Sequence, residues 1–209
     1  MSKEYSPKEK AIFEAVIGLF EEGADLNNLT VAEITGKAGI GKGTAYEYFS
    51  DKEEMIAKAL FYNSENLCRH VYNGVCKEKD LYGKVNYVLL KMEEQISKAN
   101  CILRLVIMMS ENSKVSRRMR EMVQEILSAK ATALNIIEKV LEDEFTGREN
   151  LSEDIMEYLA LSMYSKIMCY AMVLKDDKYN NEANRNIMRK LVTEGICREV
   201  REISNLRDI

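Results

Sequence analysis

Residues 30–53 read TVAEITGKAGIGKGTAYEYFSDKE. Thr30 is followed three residues later by Glu33, a capping box that predicts a helix start. Val31, Ile34 and Ala38 fall on one face of that helix, and Gly39 stops it. After Ile40, the stretch Gly41–Phe49 is long enough for one or two further turns. A second box, Ser50 with Glu53, then opens a long helix expected from about residue 51 to about residue 75. Two short helices around a glycine turn, followed at once by a third, describe a helix-turn-helix.

Upstream, Ser6 and Glu9 form another capping box, with Pro7 at the first helical position. Phe13, Val16, Ile17 and Phe20 share a face, and Gly23 ends that helix. Downstream, helices are expected at roughly 81–98, 101–110, 115–144, 152–175 and 182–203, the last two separated by the turn Asp176–Asn181. The 115–144 segment carries Val115, Met119, Met122, Ile126, Ala129, Ala133, Ile136 and Val140 at alternating spacings of four and three, a heptad seam that predicts one long helix packed in its own core. The 209 residues include one Pro and 10 Gly, which excludes a turn-rich sheet fold. The expected fold is all-α. A helix-turn-helix domain over residues 1–51 is joined by a long helix to a larger helical domain over 52–209.

Residues 30–53 resemble the DNA-binding signature of the TetR regulator family. That signature has a T-x-x-x-I-x-x-x-A-G-[VI] helix and turn, a K-G-T-x-Y-x-Y-F recognition helix, and S-x-K-E opening the next helix. Thr30, Ile34, Ala38, Gly39, Ile40, Lys42, Gly43, Thr44, Tyr46, Tyr48, Phe49, Lys52 and Glu53 all fit. The match covers about residues 6–60. Gly41 departs from it where a side-chain cap is usual, and Glu47 where a neutral or basic residue is common. The chemistry of the residues agrees with the likeness. Gly43 has no side chain to hold the recognition helix off a duplex. Thr30, Thr44, Tyr46 and Tyr48 offer hydroxyls, and Lys42 and Lys52 offer charge to phosphate. Glu47 either accepts from a cytosine amino group or faces away. The expected DNA contacts are Thr30, Lys42, Gly43, Thr44, Tyr46, Glu47, Tyr48 and Lys52.

The resemblance implies more: a homodimer on a palindromic operator, a repressor released by a small effector, and a C-terminal domain holding pocket and dimer interface. With 12 Met and 11 Tyr in the chain, an adaptable pocket for an apolar or aromatic ligand is expected. Its candidate lining is Met92, Ile107, Met108, Met122, Ile126, Met163, Ile167 and Tyr170. The candidate interface is Leu159, Met163, Leu174, Ile187, Leu191 and Gly195. The 51–75 helix would act as a lever, carrying a shift in the ligand domain to the recognition helix.

Charge restricts the DNA reading. Formal net charge is −4, and residues 1–60 alone hold 7 Lys and no Arg against 11 Asp and Glu. Binding must therefore use a basic strip, with Lys37, Lys42 and Lys52 flanking the recognition helix. Other classes find little support. The sole His, His70, reads as a surface or interface residue, and no His, Cys and acid cluster has metal-ligand spacing. There is no phosphate loop or nucleophile elbow, so neither an enzyme nor a metal or cofactor is expected. The start MSKEYSPKEK lacks an apolar signal segment. Met156–Leu174, which contains Glu157 and Lys166, reads as a buried interface helix, not a membrane span. Five scattered Cys fit a reduced, cytoplasmic protein. The rivals are a helical protein-binding module and a small-molecule enzyme, both without DNA activity.

Overall fold

The computed structural model describes residues 4–96, 113–127, 133–146, 151–174, 176–179 and 181–205. Among them every regular element is helical: α1 (Pro7–Glu21), α2 (Val31–Ala38), α3 (Lys42–Tyr48), α4 (Lys52–Val75), α5 (Leu81–Ile96), α6 (Lys114–Leu127), α7 (Ala133–Phe145), α8 (Glu153–Val173), a 3-10 turn (Asp177–Tyr179) and α9 (Glu182–Ser204). None is long and apolar enough to cross a membrane. By contacts the chain divides into two units. The first contains Met1–Leu67 and Lys98–Lys130, the second Cys68–Ser97 and Ala131–Ile209. The 24 residues of α4 run unbroken from the first into the second.

The caps set the first unit. Ser6 Oγ accepts from the Glu9 N–H at 3.3 Å while Glu9 accepts from the Ser6 N–H at 2.8 Å, with Pro7 behind the cap. Thr30 and Glu33 repeat the arrangement at 3.2 and 2.7 Å. The third box lies one residue later than the sequence indicated. Asp51 Oδ1 accepts from the Glu54 N–H at 2.7 Å, and Glu54, not Glu53, reaches back to the Ser50 N–H. The shift is physically neutral, because Asp caps as well as Ser. Between α2 and α3 the chain turns at Gly39, whose φ of +65° lies in the left-handed region that costs other residues about 1 kcal/mol or more.

Ile12, Phe13, Val16 and Phe20 of α1 pack with Ile34, Ala45, Phe49 and the Met55–Leu60 face of α4. Phe13 is the centre of an aromatic group, its ring centroid 4.9 Å from Tyr5, 5.1 Å from Tyr62 and 5.9 Å from Phe49. Val115 and Met119 of α6 are buried in this same core, and Met122 packs against it.

The second unit joins α5, α7, α8 and α9. Leu81, Val85 and Leu89 meet Ile137, Val140, Leu141, Leu159, Met163, Ile167, Tyr170, Ile196 and Val200. The seam expected along one 115–144 helix is described in two parts, α6 and α7, and residues 128–132 between them lie outside the described residues. The two parts serve different cores, Val115 and Met119 the first and Ile137, Val140 and Leu141 the second. On α7 the inward residues are Ile137, Val140, Leu141 and Phe145, while Ile136 is only half-buried. Ala129 and the 101–110 helix lie outside the described residues.

Candidate nucleic-acid interface

α3 has seven residues, too few to hold its shape alone, and depends on what it packs against. Ala45 and Phe49 are buried in the first unit's core, and Tyr48 is half-buried against it. Tyr48 is thus turned inward, because it lies one turn from Ala45 on the helix's core-facing side. The other side is open. Lys42, Gly43 and Glu47 are exposed, Thr44 is half-buried, and Tyr46 is 52% exposed. A Cβ added at Gly43 would meet nothing within 4 Å. Among the described residues nothing requires a glycine there, although glycine costs a helix about 1 kcal/mol relative to Ala. Gly41 is the N-cap with an ordinary extended φ of −67° and gives no side-chain bond.

The lysines are unequal. Lys37 pairs with Glu22 at 2.5 Å, and Lys52 donates to the Asn27 carbonyl at 2.9 Å. Lys42 makes no ion pair among the described residues, so of the expected strip it is the cation most available to a ligand. Thr30 is engaged in its cap but is exposed.

Just past α3, Glu54 is a charged hub. Lys58 lies 2.6 Å from it and Arg118 of α6 3.8 Å. Burial opposes its charge, but hydrogen bonds from Lys58 and Ser50 and the Lys58 ammonium outweigh burial and hold the carboxyl at about 2, against an ordinary 4.5. A folded-state value below the unfolded one contributes stability above the ordinary value, lost as pH falls from about 4.5 towards 2. Glu54→Gln should therefore lower stability at pH 7 by about 1–3 kcal/mol. Urea titrations through the acid range should show the gap to wild type closing. A gap constant down to pH 2 would assign the loss to something other than the charge.

In the second unit, Met163, Ile167 and Tyr170 are core residues and Met92 packs against them. Met122 belongs to the first unit's core instead. Ile107 and Met108, and the side chain of Ile126, lie outside the described residues. The interface candidates divide by helical phase. Leu159 and Met163 of α8 and its C-cap Leu174 face inward, with no surface left for a partner, whereas Ile187, Leu191 and Gly195 of α9 are exposed. The apolar residues that α8 leaves outside are Tyr158, Leu161 and Met172. A Cβ at Gly195, as at Gly43, would meet nothing within 4 Å.

Residues 12–59 match the model for bacterial regulatory proteins of the tetR family. This segment is a TetR-family domain. No curated protein matches the chain in sequence. Its fold is similar to that of the transcriptional regulator FadR from Bacillus subtilis, solved with stearoyl-CoA, at 16% identity over 89% of this chain and 98% of that one, TM-score 0.62. It is also similar to Thermus thermophilus FadR, a TetR-family repressor solved with lauroyl-CoA, at 15% identity over 96% and 97%, TM-score 0.60. A TetR-family regulator from Streptomyces coelicolor gives 14% identity over 99% and 85%, TM-score 0.63. At such identities the likeness is one of fold, and the fold is that of transcriptional regulators.

The TetR-type match ends at residue 59, and beyond it sequence reasoning missed polar clusters that no motif marks. On α9, Glu199 accepts from Tyr158 at 3.1 Å, from Ser162 at 2.8 Å and from Lys166, fastening α8 to α9. Glu93 of α5 accepts from Tyr170 and Arg189. Their partners are 33 to 96 residues apart in sequence, so no local spacing could have announced them.

Proposed function

We propose that the protein is a ligand-responsive transcriptional repressor that binds a palindromic operator as a homodimer and is released by an effector with a long acyl chain. The outer face of α3 carries the DNA reading. Lys42, Gly43, Tyr46 and Glu47 stand exposed on a helix whose other side is locked into a core. Thr30, Thr44 and Lys52 border that face, and Tyr48 acts from behind it. Exposed Ile187 and Leu191 with the uncrowded Gly195 support a dimer through α9 and the outer face of α8. Two copies would put two recognition helices about 34–36 Å apart, one turn of DNA, or somewhat further.

The acyl-chain reading narrows the apolar effector expected from the Met and Tyr content. It rests on the stearoyl-CoA and lauroyl-CoA bound by the two FadR proteins of similar fold and on the apolar core around Met92, Met163, Ile167 and Tyr170. The unbroken α4 is the element able to carry the response from one unit to the other.

The test begins with selection of a binding site from random duplexes. On that site Tyr46→Ala should weaken binding to all sequences alike. Lys42→Ala should change sequence preference, by about 1–3 kcal/mol at one base pair. Lauroyl-CoA should weaken operator binding, and operator should weaken lauroyl-CoA binding by the same factor. Wild-type protein that selects no sequence would remove the regulator reading and leave a protein-binding module or an enzyme.

A further inference from the structure

Three helices of the second unit converge on one carboxylate oxygen. Glu93 Oε1, on α5, accepts from the Tyr170 hydroxyl of α8 and from Arg189 Nη1 of α9. The other guanidinium nitrogen of Arg189, Nη2, donates to Asn186. Tyr170 is 2% exposed, while the side chains of Glu93 and Arg189 are each 14% exposed. The cluster thus runs from the apolar interior to the edge of the unit. Burial first, and then the bond to Glu93, push the Tyr170 hydroxyl well above its ordinary range, so it stays a donor. One turn earlier on α9, Arg185 has a buried Nε with no hydrogen-bond partner. Arg189 and the Tyr170 hydroxyl therefore share the Glu93 carboxylate, and Arg185 lies one turn away on the same helix with its Nε unpaired.

The fold does not need this arrangement. Leu89, Ile167 and Ile196 already join α5, α8 and α9 through the core. A half-buried ion pair at such a site is often no more stabilising than apolar residues of similar size, because both charges are desolvated. An arginine with a neighbouring hydroxyl is, however, a good receptor for an oxyanion.

We propose that Arg189 and Tyr170, with Arg185 beside them, form the subsite for the anionic group of the effector, and that Glu93 holds these donors until that group displaces it. The proposal rests on the acyl-effector reading and adds the chemistry of its polar end. The ligand oxygen would accept the hydrogen bonds that Arg189 Nη1 and the Tyr170 hydroxyl now donate to Glu93, whose position at the edge lets it turn to water. The oxyanion is either the carboxylate of a free fatty acid or a phosphate of its coenzyme A thioester.

The experiment measures binding of dodecanoate, dodecanoyl-CoA and neutral dodecan-1-ol to wild type, Arg189→Met, Arg189→Lys and Glu93→Gln by calorimetry, with thermal unfolding of each variant. Arg189→Met should weaken at least one anionic probe about tenfold or more and leave dodecan-1-ol within about twofold. Loss confined to dodecanoate assigns the site to a carboxylate. Loss confined to dodecanoyl-CoA assigns it to phosphate. Glu93→Gln should tighten that same probe several-fold, because the competing charge is gone. A purely structural cluster predicts the opposite, since breaking it would weaken all three probes. If Arg189→Met does not fold, Arg189→Lys and Glu93→Gln decide the matter by the same comparison. Wild type that binds neither anionic probe overturns the acyl-effector reading together with this subsite. Wild type that binds them, with no weakening in the arginine variants and no tightening in Glu93→Gln, overturns the subsite alone.

Discussion

Ile187→Glu combined with Leu191→Glu should turn the protein into a monomer of 24.0 kDa and lower its operator affinity by about 100-fold or more. The two side chains lie one turn apart on α9 and are 61% and 58% exposed. Burying each against a partner would contribute about 1.5–3 kcal/mol. In a two-fold interface the same patch meets its own copy, so the double substitution brings four carboxylates together where four apolar groups should pack. Both positions are remote in sequence from α3, so folding of the first unit should be unaffected. The DNA loss would then come from avidity alone. Light scattering and a binding shift on the selected operator measure the two effects together. A variant that keeps twice the chain mass would show that the dimer uses another face, such as Tyr158, Leu161 and Met172 of α8 without α9. A monomer that still binds operator as wild type does would separate assembly from recognition.

Phe13→Ala should cost the first unit about 3–5 kcal/mol. Phe13 is fully buried and touches the rings of Tyr5, Phe49 and Tyr62. Its removal takes away the transfer energy of a whole ring and opens a cavity between α1 and the Phe49 end of α3. With total stabilities of about 5–15 kcal/mol typical of a domain, that is a large fraction. α3 would lose its support before it met DNA, so operator binding should fail at growth temperature and recover on cooling. Chemical denaturation gives the energy directly. Tyr46→Ala is the control, because Tyr46 is exposed and its loss should leave the denaturation midpoint in place. A Phe13→Ala protein as stable as wild type would mean that the aromatic group is not what holds α1 to α3.

How far the sequence could be read depended on whether the deciding interactions were local. The boxes at Ser6 and Thr30 lie within four residues, and both were legible. The third slipped by one because Ser50, Asp51, Glu53 and Glu54 offer two equally good pairs, and only the observed start at Lys52 selects Asp51 with Glu54. Faces were harder. α8 is apolar on more than one side, and its pattern cannot say that Leu159 and Met163 turn inward while Leu161 and Met172 do not. The heptad from Val115 to Val140 is regular in sequence, but its two ends serve two different cores. Among the DNA candidates, the family spacing treats Tyr46 and Tyr48 alike, and it is packing that leaves the first exposed and the second half-buried. The engagement of Lys52 with the Asn27 carbonyl was not legible either, because it depends on how the 25–29 turn folds back against α4. The Glu93, Tyr170 and Arg189 cluster was invisible, since only tertiary packing brings its members together.

The internal pairing of Lys37 and Lys52 also bears on how such a protein would distribute itself over a chromosome. Non-specific attachment scales with the number of phosphates neutralised, and a genome offers about 10⁶–10⁹ competing sites. In residues 1–60, which hold 11 acids, Lys37 is tied to Glu22 and Lys52 to a backbone carbonyl. Of the three lysines flanking α3, that leaves Lys42 as the one without such a bond among the described residues, which limits what this face offers to random duplex. Most copies would then be in free solution between encounters and would reach their target by three-dimensional collision more than by sliding. A small number of molecules could keep an operator occupied, because few would be lost to the surrounding sequence.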